Sequence, residues 1–390
     1  MVMACSKPSL AAKVMAVSCV LSPSSARKKV LKTVAGILIF LFLLTTIINP
    51  LGPLFRPKGQ DFDGWQYFYA EDKNSLNAVM IGSSAIYRFY VPAQAYEEQG
   101  FTSCMISQSC QNIKAVPYIM EEAIKTQKVD LFVVETRQVV VDLVQDPKKA
   151  KEREEKENYY LSIVTSGMKQ SLTRAKLIHE LLIPDEENNE LEWQVPLLKY
   201  HENIFEIPAD DWLERLCMGK SPCKGFRLRY TANAQEEPKK TPDARYATVS
   251  LPQESRDDID KIVQTAEKYG TELLFVSTPY VYTENRYNYE CALDAYMKEK
   301  HYPFLNMGSA EVKSALALDY KVDFYDYRHV NISGAEKVTS YLADYLQTNY
   351  QFKNRLNEKQ KEEWDTAVMY WHKDEQKYLK DWEDECEKKS

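Results

Sequence analysis

Two short segments, far apart in the chain, carry the residue types needed for nucleophilic catalysis. Gly82-Ser83-Ser84 follows the apolar run AVMIG (78–82), and Asp326 precedes His329 by three residues. An imidazole can remove the proton of a serine hydroxyl, and a carboxylate on its second ring nitrogen fixes the tautomer. Taken singly, each segment has a simpler interpretation, because a serine often caps a helix and a surface histidine often lies beside an aspartate. The combination favours a Ser-His-Asp triad.

The elements around these residues predict an α/β fold. Three strongly apolar runs predict buried strands, at 78–82, 131–135 and 273–277. Two weaker runs, at 102–106 and 303–307, predict further strands. Amphipathic segments alternate with them, at 93–99, 116–126, 256–269 and 335–345. This alternation predicts a mainly parallel sheet covered by helices. In such a sheet, functional groups collect at the carboxyl ends of the strands, and both serines follow the first strand.

Two regions depart from this alternation. Residues 145–250 are rich in charge and proline, and we expect a largely helical insertion that forms a lid over the site. Residues 351–390 form a charged tail with apolar residues on one helical face, namely Trp364, Val368, Trp371, Tyr378 and Trp382. Packing of this helix on the domain is the favoured interpretation, and a glycan-binding aromatic surface is the alternative.

The N-terminal region predicts a membrane anchor. Residues 1–60 contain no Asp or Glu, and the 22 residues of 34–55 carry no charge. A helix of that length spans a hydrocarbon core of about 30 Å. The basic cluster Arg27–Lys32 places residues 1–29 in the cytoplasm, the helix of 30–55 in the cell membrane and the domain of 60–350 outside the cell. A cleaved signal peptide is the alternative.

Composition narrows the classes of function. The net charge of −7 and the lack of a basic stripe argue against nucleic-acid binding. Six of the eight cysteines lie in the predicted external part, where they could form disulfides, such as Cys217 with Cys223, or serve as buried apolar residues. The sequence has no CxxC or HExxH motif, so we expect no metal and no cofactor.

The two catalytic segments together resemble the SGNH (GDSL-like) hydrolases. Gly82-Ser83-Ser84 is similar to their GDS block with Ser in place of Asp, a form associated with the D-alanyl-lipoteichoic acid biosynthesis branch. Asp-x-x-His-x-Asn-x-x-Gly at 326–334 is similar to their last block. The resemblance covers about 76–140 and 260–347 and implies a flavodoxin-like, doubly wound parallel sheet. It assigns Ser84 as nucleophile, His329 as general base and Asp326 as its partner.

The same resemblance implies an oxyanion hole, in which two positions depart from the family pattern. The backbone N–H groups of Ser84 and Cys110 would be the donors, but Cys110 stands where the family usually has Gly. Where the family has Asn, the chain has Thr136-Arg137, and Arg137 could stabilise charge, contact an anionic substrate or pair with Glu135.

The implied function is a membrane-anchored serine esterase or O-acyltransferase. Its substrates would be acyl esters of cell-surface polysaccharides or teichoic acids, and a membrane-bound O-acyltransferase would be its partner. The alternative is a non-catalytic binding or assembly module of a surface acylation system, which the departures at Cys110 and Arg137 motivate. A phosphatase or metal-dependent hydrolase has less support, because the chain's five histidines are scattered.

Overall fold

The computed structural model describes residues 28–37, 39–40, 43, 54, 57, 64–141, 150–185, 188–208, 212, 219–227 and 229–389. Residues 1–27 of the predicted extension and much of the predicted anchor at 30–55 lie outside these ranges, and residues 28–37 are helical. In the described part of the chain, no helix is both long and apolar enough to cross a bilayer. The chain divides into two units, Met1–Leu51 and Gly52–Ser390, and all features below belong to the second unit.

The second unit is built on a five-stranded, all-parallel sheet, as the alternating pattern predicts. Its strands are β1 (Ala78–Gly82), β2 (Ser103–Ser107), β3 (Leu131–Glu135), β4 (Glu272–Ser277) and β5 (Phe304–Asn306). Their spatial order is β2-β1-β3-β4-β5. In the register, Met80 of β1 lies between Met105 of β2 and Val133 of β3. The carboxyl end of β1 is therefore flanked by those of β2 and β3.

Helices connect the strands. They are α1 (Gly64–Ala70), α2 (Ser84–Tyr87), α3 (Pro92–Gln99), α4 (Val116–Ile124), α5 (Arg137–Val141), α6 (Ala150–Ser166), α7 (Leu172–Leu181), α8 (Glu190–Gln194), α9 (Pro196–Tyr200), α10 (Gln253–Tyr269), α11 (Glu284–Lys300), α12 (Ala310–Leu316), α13 (Ile332–Asn349) and α14 (Glu358–Lys389). The predicted helices correspond to α3, α4, α10 and α13. The predicted end of α10 is confirmed at Gly270, which adopts the left-handed φ of 64°.

Both faces of the sheet are covered by helices. Val79 and Ile81 of β1 point into one apolar cluster, with Ile119 of α4 and Ile262 of α10. Met80 points into the opposite cluster, which contains side chains of α3, α13 and α14. Since successive side chains of a strand point to opposite faces, a strand buried on both faces must be apolar throughout, as AVMIG is.

The insertion differs from its prediction in its second half. Its first half, through residue 206, contains α6 to α9 and the 3-10 helix His201–Glu206. Among the described residues of 219–250, the only helix is the 3-10 turn Ala244–Tyr246. Here the backbone bonds to the domain, since the N–H groups of Arg227 and Asn233 donate to the carbonyls of Tyr87 and Phe324. Two prolines, at 238 and 242, also disfavour a helix in this stretch.

The C-terminal helix α14 packs on the domain, as the favoured interpretation predicts. Its buried residues include Trp364, Ala367, Trp371 and Tyr378. Trp371 contacts Phe226 of the insertion edge to face, with ring centroids 5.9 Å apart. The side chain of Trp382 lies outside the described part. The buried aromatic face is thus part of the core.

We expect Trp371→Ala to lower the free energy of unfolding by about 3–5 kcal/mol, since truncating a buried aromatic leaves a cavity. Chemical denaturation followed by circular dichroism would measure the change. Met369 on the same helix is 71% exposed, and Met369→Ala is the matched control, with an expected change within about 0.5 kcal/mol. Equal, small effects of both substitutions would contradict packing of α14 on the core.

Candidate active site

The two adjacent serines have different roles in the turn between β1 and α2. Ser83 is the N-cap of α2, and its Oγ accepts the N–H of Ala85 at 3.2 Å. The same hydroxyl donates to Glu135 Oε2 at 2.9 Å, and Ser83 is only 1% exposed. Ser84 is the first residue of α2 and is partly exposed. The capping interpretation therefore holds for Ser83, and Ser84 is the accessible serine.

Ser84 is hydrogen-bonded to His329, which in turn contacts Asp326. The distance from Ser84 Oγ to His329 Nε2 is 2.8 Å, across 245 residues of sequence. His329 Nδ1 lies 3.0 Å from both carboxylate oxygens of Asp326. The structure thus brings together the three predicted catalytic residues, in the order needed for proton transfer from serine to imidazole.

A short loop positions the histidine. Phe324 and Val330 form an isolated β-bridge at its base, and Asp326 Oδ1 accepts the N–H groups of Arg328 and His329 at 2.7 and 2.9 Å. Directly after the loop, Asn331 caps α13 by accepting the N–H of Gly334 at 3.2 Å. The Asp-x-x-His-x-Asn-x-x-Gly pattern is therefore a turn closed by its own aspartate and followed by a capped helix.

The charges around the pair favour a neutral imidazole beside an ionised carboxylate. Burial lowers the pKa of His329; Asp326 opposes this effect, and the charges of Arg137 and Arg88 add to it. Burial alone would raise the pKa of Asp326, but the hydrogen bonds and charge of His329 hold it below its ordinary value. At neutral pH, His329 is thus in the state that can accept a proton.

The loop after β2 carries the predicted second oxyanion donor, Cys110. This residue adopts the left-handed φ of 47°, so the conformation expected for Gly is present with Cys in its place. Burial raises the pKa of Tyr160 of α6, and the nearby Cys110 thiol adds to this effect. The insertion therefore reaches the rim of the site. The roles of the Ser84 and Cys110 N–H groups as oxyanion donors remain predictions.

Arg137 points into the protein and anchors the histidine loop. It is only 3% exposed, and its guanidinium donates to the carbonyl of Arg328 at 2.7 Å and to Thr278 Oγ1 at 2.6 Å. The Arg137 guanidinium also stacks on the rings of Phe89 and Tyr280, at 5.3 and 4.6 Å from their centroids. This position argues against the predicted contact with an anionic substrate.

Two residues near the triad were not among the sequence candidates. Glu135 bonds to Ser83, and Arg88 lies close enough to His329 to lower its pKa. A signal for Glu135 was present, since an acidic residue ends an otherwise apolar strand at the edge where the serines lie. Arg88 follows Ser84 by about one helical turn, but nothing in its sequence neighbours distinguishes it from a surface arginine.

The remaining predictions concern cysteines and metals. Cys104, Cys110, Cys223 and Cys291 have free thiols, and Cys217, the suggested partner of Cys223, lies outside the described residues. Among the described residues, no group of three or more His, Cys, Asp or Glu side chains could hold a metal ion. The chain matches no protein-family model, and it matches no curated protein.

We expect His329 to titrate below the ordinary value of 6.5, and Asp326→Asn to lower the pKa of His329 further. The Asp326 carboxylate stabilises the imidazolium, so its removal makes protonation harder. NMR titration of the histidine rings would measure both values, with His329→Gln for assignment. Asp257 is exposed, and Asp257→Asn is the control that should leave the titration unchanged. A higher pKa in Asp326→Asn would contradict the pairing.

Gly82 allows β1 and β3 to approach each other beneath the serines. A Cβ at this position would lie 2.6 Å from the Cβ of Glu135, and neither atom can rotate away. We expect Gly82→Ala to destabilise the fold by about 1–3 kcal/mol. A Cβ on Gly219 would meet nothing within 4 Å, so Gly219→Ala is the control. Equal melting temperatures for the two variants would contradict the close approach.

Proposed function

We propose that this protein is a serine esterase or O-acyltransferase of the SGNH type that acts on acyl esters of cell-envelope glycans or teichoic acids. The observation that carries the proposal is the pair of contacts that link Ser84 Oγ to His329 Nε2 at 2.8 Å and His329 Nδ1 to Asp326 at 3.0 Å. A neutral imidazole between an ionised carboxylate and a serine hydroxyl is the arrangement that generates a serine nucleophile.

The chemistry has two halves. Ser84 Oγ attacks the ester carbonyl while His329 Nε2 takes its proton, and the N–H groups of Ser84 and Cys110 would stabilise the oxyanion. Collapse of the tetrahedral intermediate expels the alcohol, which receives the proton from His329. An acyl group remains on Ser84. Water or a glycan hydroxyl then attacks that acyl group while His329 takes its proton; the bond from the acyl carbon to Ser84 Oγ breaks, and His329 returns the proton to Ser84. Release of the free acid is hydrolysis, and release of a new ester is transfer.

The strand order supports the proposed fold type. The order β2-β1-β3-β4-β5 is that of flavodoxin-like sheets, whose ligands bind at the carboxyl ends of the strands where the chain reverses direction across the sheet. That reversal lies between β1 and β3, and Ser84 directly follows β1. A doubly wound, SGNH-type domain would place its nucleophile at the same edge.

Positive charge near the triad supports an anionic polymer, such as a teichoic acid, among the candidate substrates. Arg88 lies near His329, and Arg286 lies near Arg328 and Arg137. Guanidinium groups bind phosphate oxygens well, because their planar donors match the geometry of the anion. The proposal includes an external location on a single-pass anchor, which rests on the charge pattern of the N-terminal region. It also includes a membrane-bound O-acyltransferase as partner, which rests on the family resemblance alone.

A non-catalytic binding or assembly module is the second candidate. Cys110 and Arg137 favour it, because they stand where the resembled family has the Gly and Asn of its oxyanion hole. Losing one oxyanion donor typically slows such a reaction by about 10²- to 10³-fold. The assembled triad favours the enzyme, since a module that only binds has no need of an aligned Ser-His-Asp arrangement.

We expect a fluorophosphonate probe to label the wild-type protein and Ser83→Ala but not Ser84→Ala. Of the two serine hydroxyls, only that of Ser84 contacts His329. Ser83→Ala removes a helix cap worth about 1 kcal/mol and the hydrogen bond to Glu135, so this variant should label more slowly than the wild type. Gel fluorescence after labelling and turnover of a small acetyl ester would measure the effect. Labelling that persists in Ser84→Ala would exclude Ser84 as nucleophile, and a wild-type protein that neither labels nor turns over would favour the binding module.

A further inference from the structure

A three-residue segment at the end of β3 contacts both halves of the candidate site. The segment is Glu135-Thr136-Arg137, and it lies beside the carboxyl end of β1. Thr136 fixes it to the neighbouring strand, because both its N–H and its hydroxyl donate to the carbonyl of Val276, at 3.0 and 3.1 Å. The segment is therefore a rigid continuation of the sheet.

Glu135 holds the turn that carries the nucleophile. Its Oε2 accepts the Ser83 hydroxyl at 2.9 Å, and its Oε1 accepts the backbone N–H of Arg137 at 2.6 Å. The residue is 1% exposed, and burial raises the pKa of its carboxyl, which the charge of Arg137 and these hydrogen bonds oppose. Since Ser83 directly precedes Ser84, a shift of the carboxyl group would move the nucleophile.

Arg137 holds the other half, the loop that carries the acid and base groups. Its guanidinium donates to the carbonyl of Arg328, the residue directly before His329, and the Phe89 and Tyr280 rings enclose it. Its Nε is buried without a hydrogen-bond partner. This is a costly environment for an arginine, which the contacts to Arg328 and Thr278 offset in part.

We propose that Glu135 and Arg137 are positioning residues that set the Ser84–His329 distance, with Glu135 acting on the serine turn and Arg137 on the histidine loop. This inference rests on the proposed serine chemistry. Two segments 245 residues apart meet at 2.8 Å, and Glu135-Thr136-Arg137 bonds to both. Neither residue touches the reacting atoms of the triad, so each acts through a neighbour.

Substitutions of Arg137 in the full-length chain separate its charge from its hydrogen bonds. The positive charge lowers the pKa of His329, so Arg137→Gln should raise the pH midpoint of both the imidazole titration and the kcat profile for a small acetyl ester. Arg137→Lys keeps the charge but carries its donors on one nitrogen, whereas Arg137 reaches Arg328 and Thr278 with two separate nitrogens. We expect it to leave the midpoint unchanged and to lower kcat by about 10²-fold with KM unchanged.

Glu135→Gln tests the serine half. It keeps an acceptor of similar size but loses the carboxylate, so kcat should fall while the pH midpoint of His329 stays in place. The exposed Arg245, which pairs with the nearby Asp243, supplies the matched control Arg245→Gln, and this variant should match the wild type throughout. Thermal melting of each variant would identify loss of the fold.

The outcomes separate this inference from the proposed function. If both folded Arg137 variants keep the wild-type kcat and pH midpoint, the positioning role of Arg137 is overturned. If folded Glu135→Gln keeps the wild-type kcat, the positioning role of Glu135 is overturned. The NMR titration does not depend on turnover. An inactive wild type whose His329 midpoint still rises in Arg137→Gln would contradict the esterase proposal and support the position of Arg137 beside the histidine.

Discussion

The hydrogen bond between Ser84 Oγ and His329 Nε2 forms only if two distant segments of the chain are held to within a few tenths of an ångström. One segment is the turn after β1, and the other is the loop before α13. The parallel sheet fixes the first segment, because β1 is paired on both sides and ends at Gly82, where Glu135 approaches closely. A bridge at the base of the loop and the cap of α13 fix the second.

Electrostatics at the pair follows from its depth in the protein. Burial disfavours the imidazolium and so keeps His329 neutral, while Asp326 keeps it basic enough to accept a proton. The buried arginine behind the loop adds a positive charge that would be costly alone. Burial raises the pKa of the nearby Glu135 carboxyl, and the charge of Arg137 opposes this effect. Arg137, which bonds to the histidine loop, therefore also lowers the proton affinity of His329.

The insertion and the C-terminal helix complete the surroundings of the sheet. Tyr160 of α6 reaches Cys110 at the rim of the site, and Arg227 bonds to the backbone of Tyr87 in α2. Helix α14 packs against the apolar cluster on one face of the sheet, and Trp371 is buried in that cluster. The insertion thus supports the serine turn from outside, and the tail serves stability.

Much of the fold could be predicted from local patterns. Apolar runs such as AVMIG and LFVVE predict buried strands, because a strand that is covered on both faces has apolar side chains on both. Gly270 predicts the end of a helix, because a residue in the left-handed conformation stops it. The Asp-x-x-His spacing likewise describes a turn that closes on itself, so Asp326 and His329 could be paired from the sequence alone.

Only the tertiary structure decided which serine faces the histidine and what Arg137 does. Ser83 and Ser84 are identical in type, and a shift of one residue in the turn would exchange their directions; the buried Glu135 selects Ser83 for the interior. Arg137 carries the same donors for a substrate as for the carbonyl of Arg328, and its side chain turns inward because Phe89, Tyr280 and Thr278 enclose it. Contacts between residues far apart in sequence make both choices, and no local pattern encodes them.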